Sequence, residues 1–222
     1  MSNAQHFWIG QARGEHYAIW ENEHLILCFE GTKEVVCHRD QLTVKTHPDN
    51  ILFAVAIAKL HYVPMSTLVE QLQAFKGVEH RLEYVRTVGD VHFYNDSSST
   101  SPDSALTAID QFVPDRLILM LGGSSKNADF DTLADVIVKK HVRVVLYGAE
   151  GQPIKERLLA HEGAALILEH FKDGNFEGIV RQTFELAKPE DNVVMSPACA
   201  SFDLFKNAKE RGKEFKRVVA LL

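Results

Sequence analysis

The sequence predicts an α/β fold, with a mostly parallel sheet in its C-terminal part after a region of short strands and two helices. Between residues 82 and 211, apolar runs of strand length alternate with stretches of helical period, which is typical of a parallel sheet covered on both faces. Residues 5–46 instead contain short strand-like runs separated by turn residues. We expect a domain boundary near residues 77–81, where a glycine interrupts the helical pattern.

Composition narrows the class of protein. The chain has 222 residues, 45% hydrophobic and 24% charged, as expected of a soluble globular protein. A net charge of -6 without a basic cluster argues against nucleic-acid and anionic-membrane partners. No apolar run has the length of a membrane span, and no signal-peptide core is expected. We exclude residues 1–4 (Met-Ser-Asn-Ala) from fold reasoning as a remnant of an expression tag.

The cysteines indicate a reducing compartment. Cys28, Cys37 and Cys199 show no CxxC spacing, so we expect reduced thiols and a cytoplasmic protein. Cys28 and Cys37 could pair across a hairpin, although two strand cysteines that are half-buried are favoured over that pairing.

The N-terminal region is expected to form four strands and then two helices. Turn residues separate strands at 7–9, 17–20, 24–29 and 34–38. A helix is predicted from Pro48 onward, with Ile51, Leu52 and Val55 at helical spacing. A second helix follows Pro64 and ends at Phe75.

The C-terminal region is expected to alternate strands and helices. Strands are predicted at 82–86, 91–94, 116–121, 142–147, 165–169 and 192–195. Helices are predicted at 102–112, 130–139, 152–161, 176–187 and 202–211. Thr100 or Ser101 can cap the helix that begins with Pro102.

Three loops between strand and helix, residues 95–101, 122–129 and 196–201, are unusually polar and small. Ligands of such sheets bind at the carboxyl ends of the strands, and helix starts favour anions. If the three strands are neighbours, one crevice gathers hydroxyls, backbone N–H groups, Lys126 and Asp96. We therefore predict a site for a small carboxylate or phosphate. The plainer fourth loop, 148–151, receives no role.

Several common catalytic motifs are missing from the sequence. The run Gly122–Lys126 is not a P-loop, because no glycine directly precedes the lysine. The sequence also contains no GxSxG elbow, no HExxH and no Cys/His set with metal-ligand spacing.

Four motifs in order carry a resemblance to a known family. They are His80-Arg81-Leu82-Glu83, then Asn95-Asp96-Ser97 with Thr100, then Gly122-Gly123 with Lys126 and Ala128-Asp129-Phe130, and finally residues 196–203, Ser-Pro-Ala-Cys-Ala-Ser-Phe-Asp. Together they resemble the Mur ligases, and the last motif resembles the branch that adds D-glutamate. The resemblance implies a Rossmann-like C-terminal domain at residues 80–222, which binds D-glutamate and ATP. It implies that residues 5–79 are a β-rich and helical remnant of the central ATPase domain.

The resemblance also implies an activity. The parent would be an ATP-dependent ligase of the bacterial cytoplasm that adds D-glutamate to UDP-MurNAc-L-alanine through an acyl phosphate during peptidoglycan synthesis. ATP and Mg²⁺ would be its cofactors, with most Mg²⁺ ligands outside this chain. Because the P-loop and the UDP-binding domain are absent, the chain alone is expected to be inactive.

The motif matches imply ligand contacts for individual residues. Asn50, Arg81 and Asp96 match positions that contact ATP. Thr100, Lys126 and Ser201 match positions that bind D-glutamate. No catalytic residue and no metal ligand is assigned. Two positions depart from the family pattern, since Ser98 and Ala208 stand where a lysine and an aromatic residue are frequent.

The sequence leaves two other functional hypotheses open. The chain could be a stand-alone module that binds an amino acid or nucleotide without ATPase chemistry. It could also belong to a sister ligase that adds another amino acid to a muramyl peptide or to folate.

Overall fold

A computed structural model describes residues 6–44, 46–124, 128–172 and 175–222. The chain separates into two compact units, Met1–Gly77 and Val78–Leu222. Each unit has its own sheet and its own core.

The first unit is a four-stranded sheet with two helices. Its strands are β1 (Trp8–Ile9), β2 (Tyr17–Glu21), β3 (His24–Phe29) and β4 (Thr32–His38), in the order β1-β2-β3-β4. β2, β3 and β4 are antiparallel, and β1 pairs with β2 in parallel. A 3₁₀ turn, Arg39–Gln41, leads toward α1 (Pro48–Leu60) and α2 (Met65–Ala74). The core lies between the sheet and these helices.

Local sequence explains where α1 begins. Pro48 occupies the first turn, where its missing N–H is not needed, and the His47 side chain accepts a hydrogen bond from Asp49 N. Leu52 and Val55 of α1 pack with Leu25 and Leu27 of β3.

The second unit is a six-stranded sheet, and its strand order determines which loops can meet. The strands are β5 (Glu83–Val88), β6 (Val91–Asn95), β7 (Leu117–Gly122), β8 (Arg143–Tyr147), β9 (Ile167–Phe171) and β10 (Asn192–Met195). Their order is β5-β6-β10-β7-β8-β9. All neighbours are parallel except β5, which is antiparallel to β6. The predicted mostly parallel sheet is confirmed.

Helices cover both faces of this sheet. They are α3 (Pro102–Ile109), α4 (Asp131–Lys139), α5 (Gly151–Ala160), α6 (Phe176–Leu186) and α7 (Ala208–Val219), with short 3₁₀ turns at Pro114–Arg116 and Gly163–Leu166. Alternate residues of β7 point to opposite faces: Leu119 packs in the core with α3, α4 and α5, whereas Met120 packs in the core with α6 and α7. β7 is fully buried, as expected of a central parallel strand.

The prediction of a helix at residues 202–211 was wrong. Residues 202–207 form turns, and α7 begins at Ala208, where the Asn207 side chain accepts a hydrogen bond from Glu210 N. An asparagine cap fixes the start of a helix more strongly than the apolar spacing before it. Phe202, at the start of the predicted helix, is 71% exposed.

Candidate functional site

The three polar loops meet at one edge of the second sheet. They follow β6, β7 and β10, and β10 lies between the other two strands. Because neighbouring parallel strands end at the same edge, the predicted convergence of these loops is confirmed. We call them the first loop (95–101), the second loop (122–129, described as far as 124 and again from 128) and the third loop (196–201).

Backbone contacts join the second and third loops. Gly122 N donates to Pro197 O and Ser124 N to Ala200 O, both at 2.9 Å. Gly122 and Gly123 have φ of 139° and 138°, a region that other residues avoid. A Cβ on Gly123 would lie 2.1 Å from Ala200 O. The close approach of the two loops therefore depends on glycine.

The buried Asp96 side chain forms hydrogen bonds with three segments at this edge of the sheet. Its Oδ1 accepts from Leu82 N at 3.0 Å, and its Oδ2 accepts from the hydroxyls of Ser99 and Ser196. The residue is 2% exposed. Burial raises the pKa of Asp96, while the two hydroxyls, Leu82 N–H and the charge of Arg81 act in the opposite direction. The carboxylate thus links the start of β5 with the first and third loops.

Arg211, in the first turn of α7, ties the same two loops from the other side. Its guanidinium donates to the Ser97 hydroxyl and to the carbonyls of Ser97, Cys199 and Ala200, at 3.0–3.2 Å. The residue is fully buried. Guanidinium is planar and stays charged, so it can hold several carbonyls in a fixed arrangement.

A cavity of about 220 Å³ opens among the loops. The first loop and the start of α3 supply Thr100, Ser101 and Pro102, and the second loop supplies Ser124. The remaining described lining residues are Ala128, Phe130, Ala198, Cys199 and Glu150. Ser101 caps α3 through a capping box with Ser104, and Pro102 is the first residue of that helix. The predicted cap and proline position are therefore confirmed.

Glu150 brings an acid to this cavity from the fourth loop, which received no role from the sequence. β8 is the neighbour of β7, so its loop reaches the same sheet edge. Glu150 N donates to Gly123 O at 2.9 Å, and the residue is 7% exposed.

The predicted D-glutamate residues do not all occupy the cavity wall. Thr100 lines the cavity. Ser201 is buried at the end of the third loop, and its carbonyl accepts from Phe205 N at 2.8 Å. Ser201 does not stand at a helix start, because α7 begins only at Ala208. Lys126 lies outside the described residues.

The predicted ATP residues differ in accessibility. Asn50 is exposed in the first turn of α1 in the first unit, where its side chain donates to Thr46 Oγ1 at 2.9 Å. Arg81 is exposed at the start of the second unit. Leu82, the residue after Arg81, donates its N–H to Asp96. The carboxylate of Asp96 is already occupied by protein donors, and its contact with ATP stays a prediction.

Within residues 6–44, 46–124, 128–172 and 175–222, no three His, Cys, Asp or Glu side chains converge as a metal site. In the same segments, no helix has the length and apolar character needed to cross a membrane. Cys28, Cys37 and Cys199 form no disulfide, as expected from their spacing. Cys28 and Cys37 are each 4% exposed and so are more deeply buried than the half-buried cysteines expected.

The sequence analysis did not predict the roles of Arg211 and Glu150, although the sequence contains a signal for Arg211. Arg211 shares the buried face of α7 with Phe215, Val218 and Val219, at helical spacing. An arginine on an apolar face must find acceptors, and this pattern could have identified it. Glu150 becomes visible only once β8 is known to lie beside β7.

The family model for "Mur ligase, glutamate ligase domain" matches residues 80–199, which include the first, second and fourth loops and the third loop as far as Cys199. The chain belongs to the Mur ligase family.

Curated relatives are similar over most of the chain. The UDP-N-acetylmuramoylalanine–D-glutamate ligase of Pelotomaculum thermopropionicum is 38% identical over 207 residues, which cover 92% of this chain and 44% of that protein. The ligase of the same name from Caldicellulosiruptor bescii is 33% identical over 213 residues, again 92% of this chain and 44% of that protein. The chain therefore spans less than half the length of these relatives.

Solved Mur-type structures share the fold. A pseudomurein peptide ligase type C from Methanothermus fervidus aligns with a TM-score of 0.60 at 16% identity, over 93% of this chain and 42% of that one. MurC of Thermotoga maritima aligns with a TM-score of 0.59 at 14% identity, over 96% of this chain and 48% of that one.

Proposed function

We propose that this chain is the C-terminal part of an ATP-dependent ligase that joins D-glutamate to UDP-MurNAc-L-alanine in peptidoglycan synthesis. The observation that carries the proposal is the hydroxyl-lined cavity where the first, second and third loops meet, inside the segment matched by the glutamate ligase domain. The names of the curated relatives support D-glutamate as the amino acid.

The cavity has the chemistry to bind a carboxylate. The Thr100 and Ser101 side chains line it beside the first turn of α3, where backbone N–H groups and the helix dipole favour negative charge. Ser124 adds a hydroxyl from the second loop. We propose that Thr100 holds one carboxylate of D-glutamate and that Lys126 and Ser201 contribute as the motif match implies.

Asp96 and Arg211 serve this site by positioning its loops. Neither side chain lines the cavity, yet each joins the first loop to the third. Holding groups in place before the substrate arrives reduces the entropic cost of binding and of reaction. The amine of bound D-glutamate would thereby be held ready for the acyl phosphate of UDP-MurNAc-L-alanine.

This chain supplies some of the groups that an ATP site needs. Asn50 and Arg81 are exposed and offer an amide and a guanidinium, and guanidinium is well suited to phosphate oxygens. Magnesium would neutralise phosphate charge, with ligands that we place mostly outside this chain. Asp96 is 2% exposed, so it meets ATP only if its side chain becomes accessible.

The first unit fits the end of a larger central domain. In α1, nine of the ten residues from Ile51 to Leu60 are apolar, yet Phe53 and Ile57 are 52% and 56% exposed. A helix that is apolar all round belongs inside a core. We propose that residues 5–79 complete a central ATPase domain whose other part covers this face, and that residues 80–222 form the C-terminal domain.

We also propose that the protein works in the bacterial cytoplasm and that this chain alone does not catalyse the reaction. The absence of disulfides among the three buried cysteines accords with a reducing compartment. ATP and a nucleotide-linked substrate are both cytoplasmic metabolites in the proposed reaction.

The test is an assay of the full-length protein encoded by the native gene. With ATP, Mg²⁺, D-glutamate and UDP-MurNAc-L-alanine present, we expect formation of the amide and release of phosphate. Thr100→Val should raise KM for D-glutamate by about fivefold, because a hydrogen bond contributes about 1 kcal/mol, and should leave KM for ATP unchanged. Thr107→Val, within α3, is the matched control, since Thr107 bonds its own helix at Asp103 O.

Three results would contradict the proposal. No phosphate release with all substrates present would argue against a D-glutamate ligase. Faster turnover with another amino acid would favour a sister ligase. A native gene that begins near residue 5 and whose product binds an amino acid would favour a stand-alone module.

A further inference from the structure

Glu150 contributes an acidic residue to the described wall of the cavity. Among the described residues, its carboxylate has no hydrogen-bond or ion-pair partner. The residue is 93% buried, and it is the one charged group among the described residues that line the cavity. Glu150 thus lines the cavity, and no described cation pairs with its carboxylate.

The backbone fixes the position of Glu150. Its N–H donates to Gly123 O at 2.9 Å, and Gly151 N donates to Gly148 O at 3.1 Å. Glu150 is the N-cap residue of α5, yet its side chain does not bond to the first N–H groups of that helix. The carboxylate is thus held at the cavity wall and is not consumed as a helix cap.

The physical cost of such a group indicates its ligand. A buried carboxylate without a partner costs free energy, and a cation that enters the cavity removes part of that cost. The other described lining residues are neutral and include the hydroxyls of Thr100, Ser101 and Ser124. These hydroxyls suit a carboxylate, whereas Glu150 suits an ammonium group. The cavity of about 220 Å³ matches a small amino acid.

We propose that Glu150 binds the ammonium group of the amino-acid substrate and makes the cavity prefer an amino acid over a dicarboxylate without an amine. The inference rests on the proposed function, in which D-glutamate occupies this cavity. It adds a specificity residue from the fourth loop, with the substrate's carboxylates held by the hydroxyls and the start of α3.

The test compares D-glutamate with glutarate, which has both carboxylates but no amine. Both are titrated into the 222-residue chain by calorimetry and by NMR. The original chain should prefer D-glutamate at least tenfold, because a hydrogen bond to a charged group is lost with glutarate. Glu150→Gln should abolish most of this preference by weakening D-glutamate alone. Glu156→Gln, an exposed position on the same helix, should leave the preference intact.

Thermal unfolding separates this role from a structural one. Removing an unpaired buried carboxylate should leave Tm equal or raise it, whereas a structural role of Glu150 would lower Tm in both Glu150→Gln and Glu150→Ala. A preference that survives in Glu150→Gln, or equal weakening of both ligands, would overturn the role of Glu150 while the D-glutamate site stands. An original chain that binds neither ligand would overturn the proposed site and this inference together.

Discussion

The two units differ in how completely they bury their apolar surface. In the second unit, helices cover both faces of the sheet, and every residue of β7 is buried. In the first unit, α1 packs one face on the sheet and leaves Phe53, Ile57 and Leu60 exposed. The second unit thus has the organisation of a complete domain. We propose that the first unit is one part of a larger domain, and the chain spans less than half the length of its curated relatives.

The units also differ in where polar groups are buried. The second unit buries Asp96 and Arg211 at the sheet edge that carries the cavity, and their partners are loop atoms. In the first unit, His16 is the buried polar side chain among the described residues. Asp191, paired with Arg143, is buried at the opposite end of the sheet, whereas Asp96, Glu150 and Arg211 are buried beside the cavity. Buried charge is costly, so these three groups indicate that the loops there are held in place for binding.

The largest expected effect is from Arg211→Met. Three carbonyls and one hydroxyl would lose their donor inside the protein, which should cost about 3 kcal/mol or more of the unfolding free energy. Urea unfolding, followed residue by residue by NMR, should show this loss in the second unit only. Lys209→Met, exposed on the same helix, should change stability by less than about 0.5 kcal/mol. Equal destabilisation of both units would break the distinction between them.

A matched pair of glycine substitutions compares the units directly. Gly123→Ala combines a φ of 138° with a Cβ 2.1 Å from Ala200 O, so it should cost more than about 2 kcal/mol and disturb the cavity. Gly31→Ala in the first unit has a φ of 74° and open space around it, so it should cost about 1 kcal/mol. Denaturant midpoints measure both, and similar costs would show that the loop contact is not tight.

A smaller expected effect is the dependence of the unfolding free energy on pH that arises from His80. Burial lowers the pKa of His80, with Lys216 acting in the same direction and Glu79 and Glu83 against it. Because the folded state then holds the proton less tightly than the unfolded chain, stability should fall as pH decreases below about 6.5 toward the lowered pKa. His80→Gln should reduce this slope in the second unit. An unchanged slope would assign the pH dependence to other groups.

The smallest effect on stability should come from Phe53→Lys. An exposed side chain of the first unit is replaced, so the unfolding free energy should change by less than about 0.5 kcal/mol. Self-association of the chain, measured by sedimentation velocity, should nevertheless decrease, since exposed apolar patches promote association. Leu159→Lys on α5 of the second unit is the control and should have no such effect. A chain that is monomeric at high concentration would argue against an exposed interface on α1.

Much of the fold could be predicted from the sequence, because local patterns determine its elements. The apolar run at 117–121 and the proline and serine at the start of α3 predicted elements that the structure contains. The boundary of α7 was wrong because Phe202 and Phe205 imitate helical spacing ahead of the asparagine cap at 207.

The site could be predicted only in part, because strand order is a property of the whole fold. The loop residues were correctly singled out as polar, but their meeting depended on β10 lying between β6 and β7. Glu150 was missed since its relevance comes from β8 lying beside β7. Thr100 lines the cavity, and the ligand-binding roles of Thr100, Lys126 and Ser201 and of Asn50, Arg81 and Asp96 stay predictions.

The most direct test of the central claim, that the second unit binds D-glutamate, is an NMR titration of the labelled 222-residue chain with D-glutamate and with L-glutamate. We predict saturable shifts at residues 95–101, 122–124 and 196–201 with D-glutamate, and at least about tenfold weaker binding of L-glutamate. Unchanged resonances in these loops, or equal shifts with both enantiomers, would contradict the account.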